Sequence, residues 1–175
     1  MGLEQHRADA PRRVSAYVVT LSDTRDASRD ASGALIREAL QAAGHRVAGA
    51  VILREDREPL VRALGEILGR DDFDVLIVTG GTGIAPRDHA YDVLAKLYDR
   101  RIPGFGELFR ALSYAEIGSA AMLSRASAGV AQGKLVLSIP GSRGAVRLAL
   151  DKLILPELGH LVGELRRPAE PERAT

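Results

Sequence analysis

A short run of β-forming residues that ends in a glycine loop is the feature that most constrains the fold of this chain. Residues 73–78 read Phe-Asp-Val-Leu-Ile-Val, and residues 79–83 continue as Thr-Gly-Gly-Thr-Gly before a helical pattern at residues 90–97. A strand, a glycine turn and a helix in this order are typical of an α/β unit, and glycine lets backbone N–H groups approach an anion closely. On local grounds the loop is equally compatible with a simple strand-to-helix connection.

Strand-like apolar runs alternate with amphipathic helical patterns along the rest of the chain. Strands are predicted at residues 16–21, 46–53, 75–79 and 135–139, and helices at residues 32–43, 59–68, 90–97 and 145–162. Pro156 predicts a bend in the last helix. The alternation predicts a mostly parallel sheet that is covered on both faces by helices.

Composition narrows the classes of function. The chain has 175 residues, a net charge of +1 and 4% aromatic residues, which gives no basic or aromatic surface for nucleic acid. The chain contains no cysteine, which suits the cytoplasm, and charged residues interrupt its most apolar segment, residues 144–165, so that it cannot span a membrane. The charged ends predict a single domain at residues 14–165 between flexible tails at residues 1–13 and 166–175.

Four loops follow predicted strands and are expected to lie at one edge of the sheet. The carboxyl ends of parallel strands share an edge, and α/β sheets bind their ligands there. The four loops are Ser22-Asp23-Thr24, Arg54-Glu55-Asp56, residues 79–88 and Pro140-Gly141-Ser142.

Several common sites are excluded by the residues around the glycine loop. No Lys-Ser or Lys-Thr follows Gly83, so the loop is not a P-loop, and Pro86 stands where a dinucleotide fingerprint needs its third glycine. The four histidines lack the spacing of zinc ligands, and no G-x-S-x-G motif marks a serine nucleophile.

The polar residues of these loops have local explanations as well as functional ones. Asp88 could cap the following helix, or it could bind a metal ion or orient a phosphate. Arg87 could pair with a phosphate or simply be solvated. Asp56 lies in a segment of mixed charge, which favours an exposed position. Ser22 and Asp23 could only stabilise a turn, and residues 140–142 could only connect a strand to a helix.

Taken together, these motifs resemble the molybdopterin-binding family of the MoaB/MogA group. The matching segments, in family order and at family spacing between residues 14 and 162, are Leu21-Ser22-Asp23, residues 79–83 followed by Arg87-Asp88, Ile-Pro-Gly-Phe-Gly-Glu at residues 102–107, Ser124-Arg125 and Pro140-Gly141-Ser142. The segment Ser-Arg-Ala-Ser-Ala-Gly-Val at residues 124–130 places the resemblance closer to the MoaB side. The resemblance implies a three-layer α/β/α fold of the molybdopterin-binding-domain type.

The same resemblance implies a function in molybdenum cofactor biosynthesis. The family binds molybdopterin, and its MogA-type members adenylylate it with ATP and Mg²⁺ and release pyrophosphate. The resemblance assigns catalysis and magnesium binding to Asp56 and Asp88, against the local explanations of both residues. The residues that it implies in ligand binding are Ser22, Asp23, Thr79, Gly80, Gly81, Thr82, Gly83, Arg87, Glu107, Ser124, Pro140, Gly141 and Ser142.

Two other hypotheses stay open at this point. Some MoaB-side members have no clear activity, so a non-catalytic molybdopterin-binding or scaffold protein of the same pathway is the alternative, and a related domain recruited to nucleotide or flavin metabolism is a third reading. The family often has Val-Thr after Asp88, whereas this chain has His89-Ala90, so a role of that threonine would be lost or would pass to Asp88. The resemblance further implies a homotrimer or homohexamer, with the downstream metal-insertion protein as a partner.

Overall fold

The computed structural model describes residues 10–23 and 30–167 of the chain. The strands are β1 (Ser15–Leu21), β2 (Arg46–Leu53), β3 (Val75–Thr79), β4 (Arg100–Arg101), β5 (Ser127–Ala131) and β6 (Lys134–Ile139). The helices are α1 (Ala31–Ala42), α2 (Arg57–Leu68), α3 (Ala90–Leu97), α4 (Pro103–Ile117), α5 (Arg143–Ala149) and α6 (Leu155–Leu165), with a 3₁₀ turn at Gly118–Leu123 and a π-helical turn at Leu150–Ile154. None of the helices within these two ranges has the length and apolar character that crossing a bilayer requires.

The strands form one mixed sheet in the order β2-β1-β3-β6-β5-β4. Strands β2, β1, β3 and β6 are parallel to one another, whereas β5 runs antiparallel to both β6 and β4. Thr79 at the end of β3 pairs with Thr20 on one side and with Ile139 on the other. The four parallel strands therefore end together, which places their loops at one edge as predicted.

Alternate residues of β3 contribute to two separate cores. Val75 and Ile77 pack with residues of α1, α4, α5 and α6 on one face of the sheet. Leu76 and Val78 pack with residues of α2 and α3 on the other face. All five residues of β3 are buried, as expected for a central parallel strand. The three-layer α/β/α fold with a mostly parallel sheet is thus confirmed.

The helical segment after β6 is interrupted by the π-helical turn. The sequence predicts one helix over residues 145–162 with a bend at Pro156, and the structure has α5, the π-helical turn and α6 in its place. Pro156 lies in the first turn of α6 and has no N–H group to donate to the carbonyl of Lys152, four residues earlier. Such a missing donor favours a local change of helix type.

Residues close to both ends of the described chain contact the fold. A Cβ atom on Gly159 would lie 2.6 Å from the carbonyl oxygen of Pro11, so the segment before β1 packs against α6. Arg166 forms an ion pair with Asp74. The predicted tails at residues 1–13 and 166–175 thus include residues that contact the domain. Residues 1–9 and 168–175, together with Thr24, lie outside the described residues.

Candidate functional site

The loops that follow β3 and β6 are bound to each other at the carboxyl edge of the sheet. The N–H of Gly80 donates to the carbonyl of Ile139 at 2.9 Å. The hydroxyl of Thr79 donates to the carbonyl of Pro140 at 3.0 Å. A Cβ atom on Gly141 would lie 3.3 Å from the Cα of Gly80. The glycine loop and residues 140–142 therefore form one surface, as the sequence predicts.

The loops that follow β1 and β2 are joined in the same way. The N–H of Ser22 donates to the carbonyl of Leu53 at 2.9 Å. The Asp23 carboxylate accepts a hydrogen bond from the N–H of Glu55 at 3.3 Å. Ser22 and Asp23 thus lie beside the Arg54-Glu55-Asp56 segment.

Glycine at residues 81 and 83 allows two carboxylates to lie directly against the loop. Gly80 and Gly81 have φ angles of +108° and +64°, a region that residues with side chains rarely adopt. A Cβ atom on Gly81 would lie 1.8 Å from Oε1 of Glu55. A Cβ atom on Gly83 would lie 2.5 Å from Oδ2 of Asp88. Acidic groups from two different loops therefore face the same short stretch of backbone.

The backbone of the glycine loop offers hydrogen-bond donors. Within residues 10–23 and 30–167, no hydrogen bond has the N–H group of Gly81, Thr82, Gly83 or Ile84 as its donor. Successive backbone N–H groups in a turn form a concave site for an anion, because each carries a partial positive charge. The loop thus has the local chemistry of a phosphate site.

Glu55 is a buried acid with an unusual environment. Its side chain is only 8% exposed, and its Oε1 has no hydrogen-bond partner in the described structure. Burial raises the pKa of Glu55, the nearby charges of Asp88 and Asp23 raise it further, and Arg87 opposes them, so that the pKa lies at about 7. A cation beside this carboxylate would therefore stabilise its ionised form.

Asp88 does not cap helix α3. The N-cap of α3 is His89, whose side chain makes no capping hydrogen bond. Asp88 instead closes a local turn, since its Oδ2 accepts from the N–H of Ala85 at 2.8 Å and its own N–H donates to the carbonyl of Ala85 at 2.9 Å. The capping explanation of Asp88 is therefore wrong, and the role of a capping threonine has not passed to it.

The structure places Asp56 at the surface. Its side chain is 62% exposed and pairs with Nε of Arg54 at 3.4 Å. It occupies the N-cap position of α2, but its side chain makes no capping hydrogen bond. Of the two consecutive acids after β2, Glu55 faces Gly81 and Asp56 faces solvent.

A cleft of about 340 Å³ lies between the loops and helix α4. Its polar wall comprises Gly81, Thr82, Gly83, Asp88, Ser124 and residues 140–142. Its other lining residues are mainly apolar, namely Phe109, Ser113, Ile117, Ala120, Ala121, Leu123 and Ala145. The cleft therefore brings polar groups of the loops together with an apolar surface.

Two serines of the polar wall are held by backbone groups. The Oγ of Ser142 accepts from the N–H of Ala145 at 3.3 Å and caps helix α5. The Oγ of Ser124 accepts from the N–H of Ala126 at 3.3 Å. A hydroxyl that accepts in this way keeps its own hydrogen for a ligand oxygen.

Glu107 lies in a different pocket from the glycine loop. That pocket has a volume of about 180 Å³ and includes Tyr91, Tyr98, Arg101 and Arg110 among its lining residues. Glu107 does not line the cleft beside Gly83, so the structure does not bring this predicted ligand-binding residue together with the others.

Comparison with known proteins identifies the family. The family described as the probable molybdopterin binding domain matches residues 17–160. The chain belongs to this molybdopterin-binding family. The resemblance to the MoaB/MogA group is thereby confirmed, and the matched residues extend from β1 into α6.

One relative and two solved structures show how similar this chain is to other members of the molybdopterin-binding family. The molybdenum cofactor biosynthesis protein B of Halalkalibacterium halodurans is 49% identical over 166 residues, which are 94% of this chain and 98% of that protein. A crystal structure of a molybdenum cofactor biosynthesis protein B has 50% identity and a TM-score of 0.87, over 91% of this chain and 99% of that one. The tungsten cofactor synthesizing protein MoaB of Pyrococcus furiosus has 36% identity and a TM-score of 0.81, over 90% of this chain and all of that one (100%).

Several residues of this molybdopterin-binding domain that line or support the cleft were not predicted from the sequence. The buried acid is Glu55, whereas the sequence points to its neighbour Asp56. The apolar strand before them does not indicate which of the two acids faces inward. Phe109 and its neighbours on α4 were missed because α4 itself was not predicted. Arg125 was recognised as part of a motif, but only the structure shows its contacts with the loop.

Proposed function

We propose that this protein is a molybdopterin adenylyltransferase, which transfers AMP from ATP to the terminal phosphate of molybdopterin. One observation carries the proposal: the buried carboxylate of Glu55, with one oxygen unpartnered, lies against Gly81 of the anion-binding loop and close to Asp88. An anion site with buried acids at its side suits a polyphosphate that arrives with a cation. Membership of the molybdopterin-binding family supplies the second substrate.

The reaction needs positioning more than proton transfer. A phosphate oxygen of molybdopterin attacks the α-phosphorus of ATP, a new P–O bond forms, and the bond from the α-phosphorus to the bridging oxygen breaks to release pyrophosphate. The nucleophile is already ionised at neutral pH, so no strong general base is required. The loop N–H groups and the hydroxyls of Ser124 and Ser142 would hold phosphate oxygens and align the two substrates.

The residues present fit a magnesium ion that is shared with ATP. Within the described part of the chain, no group of three or more His, Cys, Asp or Glu side chains could hold a metal ion by itself. Mg²⁺ bound with a nucleotide needs only one or two protein carboxylates, because phosphates and water complete its shell. We assign that role to Glu55 and Asp88, and leave Asp56, the residue indicated by the resemblance, at the outside of the site. Bound Mg²⁺ would neutralise phosphate charge.

The polar and the apolar lining residues of the cleft suit the two parts of each substrate. Both molybdopterin and ATP join a flat heterocycle to phosphate. The glycine loop would bind the phosphate, and the exposed apolar side chains of Ile117 and Leu123 would pack against a ring. Arg87 is exposed beside Asp88 and adds positive charge at the rim.

A non-catalytic molybdopterin-binding protein is the second candidate. It is favoured by one observation: the relatives with about half of their residues identical are named for a pathway, molybdenum cofactor biosynthesis, and their names state no reaction. Such a protein would use the same cleft and loop for molybdopterin alone.

Titration with Mg–ATP, with and without molybdopterin, distinguishes the two functions. The enzyme is expected to bind Mg–ATP and to release pyrophosphate only when molybdopterin is also present. A binding protein would take up molybdopterin and release no pyrophosphate. Tight molybdopterin binding without turnover at any ATP concentration would contradict the proposed reaction and leave the second candidate.

The proposal includes a homotrimer or homohexamer in the cytoplasm, where ATP is supplied. Large apolar side chains that do not line the cleft are exposed along α4 and the 3₁₀ turn, namely Leu108, Tyr114 and Met122. Contiguous exposed apolar surface often marks an interface. Light scattering is expected to show an oligomer, and a monomer would contradict this part of the proposal. The adenylylated product would pass to a metal-insertion protein.

A further inference from the structure

The side chain of Arg125 joins both ends of the segment that carries Asp88. Its Nε donates to the carbonyl of Gly83 at 2.8 Å, and its Nη2 donates to the carbonyl of Asp88 at 2.7 Å. Its Nη1 donates to the carboxylate of Asp92, in the first turn of α3, at 3.0 Å. The backbone N–H of Arg125 also donates to the carbonyl of Thr82 at 2.9 Å. One residue therefore connects the glycine loop with the start of α3.

Most of the binding capacity of this guanidinium is already used. An arginine has five N–H donors, and three of them are engaged by Gly83, Asp88 and Asp92. Its charge is paired with Asp92, and its Cζ lies 5.0 Å from the centre of the Tyr91 ring. Arg125 is therefore better placed to hold the loop than to bind a phosphate itself.

The segment between Gly83 and Asp88 makes few other contacts that fix its position. Residues 84–87 are exposed. The hydrogen bonds that their backbone makes within the described structure join Ala85 to Asp88, inside the same segment. Without Arg125 the turn could remain closed on itself while its position relative to the sheet changed.

The contacts of Arg125 also orient peptide groups of the phosphate site. All peptide bonds of the described chain are trans, and in a trans peptide the N–H points opposite to the carbonyl of the preceding residue. Because Arg125 draws the carbonyls of Thr82, Gly83 and Asp88 toward itself, the N–H groups of Gly83, Ile84 and His89 point away from it. The N–H groups of Gly83 and Ile84 are among those with no protein acceptor in the described ranges.

We propose that Arg125 is a positioning residue, which aims the glycine-loop N–H groups at a phosphate and holds the backbone of Asp88 beside them, without contacting that phosphate. The inference rests on the proposed function for the identity of the phosphate, which belongs to ATP or molybdopterin. The geometry that Arg125 imposes is independent of that identity, so it can be tested in the protein without ligand.

Arg70 provides a matched control on the other edge of the sheet. It forms a two-point pair with Asp72 at 3.0 and 2.8 Å, and its Cζ lies 5.2 Å from the Tyr17 ring. Arg70 thus shares the carboxylate and aromatic contacts of Arg125, but within the described residues it has no side-chain hydrogen bond to a backbone carbonyl. Arg70→Ala therefore reports the general effect of losing a surface arginine.

The first experiment measures amide hydrogen exchange in the ligand-free variants. In Arg125→Ala and Arg125→Lys, the backbone amide of residue 125, which donates to the carbonyl of Thr82, is expected to exchange about tenfold faster or more, because the loop separates from this segment more often. Lysine keeps the charge but cannot reach two carbonyls and a carboxylate together. In Arg70→Ala this amide should be unchanged. Equal exchange in all proteins would overturn the proposal, and the lysine variant keeps the test available if Arg125→Ala does not fold.

The second experiment measures Mg–ATP binding by calorimetry. Both Arg125 variants are expected to bind about tenfold more weakly than the wild type, whereas Arg70→Ala binds normally. Millimolar guanidinium ion should partly restore binding to Arg125→Ala, because it refills the guanidinium site. Normal Mg–ATP affinity in both variants would contradict the positioning role. If the wild type itself binds no Mg–ATP, the proposed function fails, and the exchange experiment alone decides the role of Arg125.

Discussion

Oε1 of Glu55 occupies the space that a side chain on Gly81 would need, since a Cβ atom there would lie only 1.8 Å away. This contact joins the loop after β2 to the loop after β3. It brings a buried acid to the backbone that offers free N–H donors, and so places the two halves of the proposed site side by side. The absence of a side chain at residue 81 is therefore a condition for the site and for the local packing.

Gly81→Ala is expected to displace Glu55 and to lower stability. The new Cβ would clash with Oε1, and alanine at a φ of +64° is itself strained. The unfolding free energy should fall by about 2 kcal/mol or more in urea titrations. Gly65→Ala is the control, because a Cβ there meets nothing within 4 Å in helix α2. The unfolding free energy of Gly65→Ala should be unchanged or rise by up to about 1 kcal/mol. An equal loss of unfolding free energy in both variants would contradict the role of the contact between Gly81 and Glu55.

Glu55 is expected to make the protein less stable as the pH rises. Its pKa is about 7 in the folded state and 4.5 as the ordinary value, so the folded protein holds its proton more tightly. The stability that this proton contributes is complete below pH 4.5 and is lost as the pH passes 7. The unfolding free energy of Glu55→Gln minus that of the wild type should therefore rise by roughly 2 to 4 kcal/mol between acidic pH and about pH 8. Urea unfolding of both proteins at each pH measures this difference.

The neighbouring variant Asp56→Asn is the control for this pH dependence. Asp56 is exposed and pairs only with Arg54 among the described side chains, so its removal should leave the stability difference nearly constant over the same pH range. A wild-type profile that matches the Glu55→Gln profile would show that Glu55 does not titrate near neutral pH.

Ser142 is expected to serve both helix α5 and the ligand. Ser142→Ala removes the N-cap hydrogen bond and should cost about 1 kcal/mol of stability. Ser142→Asp restores a capping side chain but brings negative charge to the cleft, so it should keep near-normal stability and bind Mg–ATP at least about tenfold more weakly. Thermal unfolding and calorimetry measure the two effects. Normal affinity in Ser142→Asp would place Ser142 outside the phosphate site.

Where local pattern and tertiary packing agree, the sequence predicts the fold well. The predicted strands at residues 46–53 and 75–79 and the predicted helix at residues 90–97 coincide with β2, β3 and α3. These segments are apolar on the faces that are buried in the fold. Their hydrophobic periodicity therefore reports the same constraint that stabilises the structure.

Helix α4 and strand β5 were not predicted, because their residues oppose the structures that they adopt. Gly104 and Gly106 disfavour a helix, yet a Cβ on Gly106 would lie 2.5 Å from the carbonyl oxygen of Ala126, so glycine lets α4 pack closely on the segment before β5. Strand β5 is Ser-Ala-Gly-Val-Ala, which has little strand propensity, and it is stabilised by pairing with β6.

The site shows a similar division. The four loops could be predicted from the positions of the strand ends, since parallel strands end at one edge. The orientation of Glu55 and Asp56 could not be predicted, because two adjacent acids after a strand look equivalent until the backbone turns one of them toward Gly81. Glu107 could not be separated from the other motifs by sequence, although packing places it in another pocket.

Pyrophosphate release is the most direct test of the central claim, that Glu55 and Asp88 support adenylylation of molybdopterin. With Mg–ATP and molybdopterin, the wild type should release pyrophosphate, Glu55→Gln and Asp88→Asn should lose about 100-fold or more of this activity, and Asp56→Asn should stay near the wild type. All three variants should remain folded by circular dichroism. A wild type without release, or an Asp56→Asn loss with normal Glu55→Gln activity, would contradict the claim.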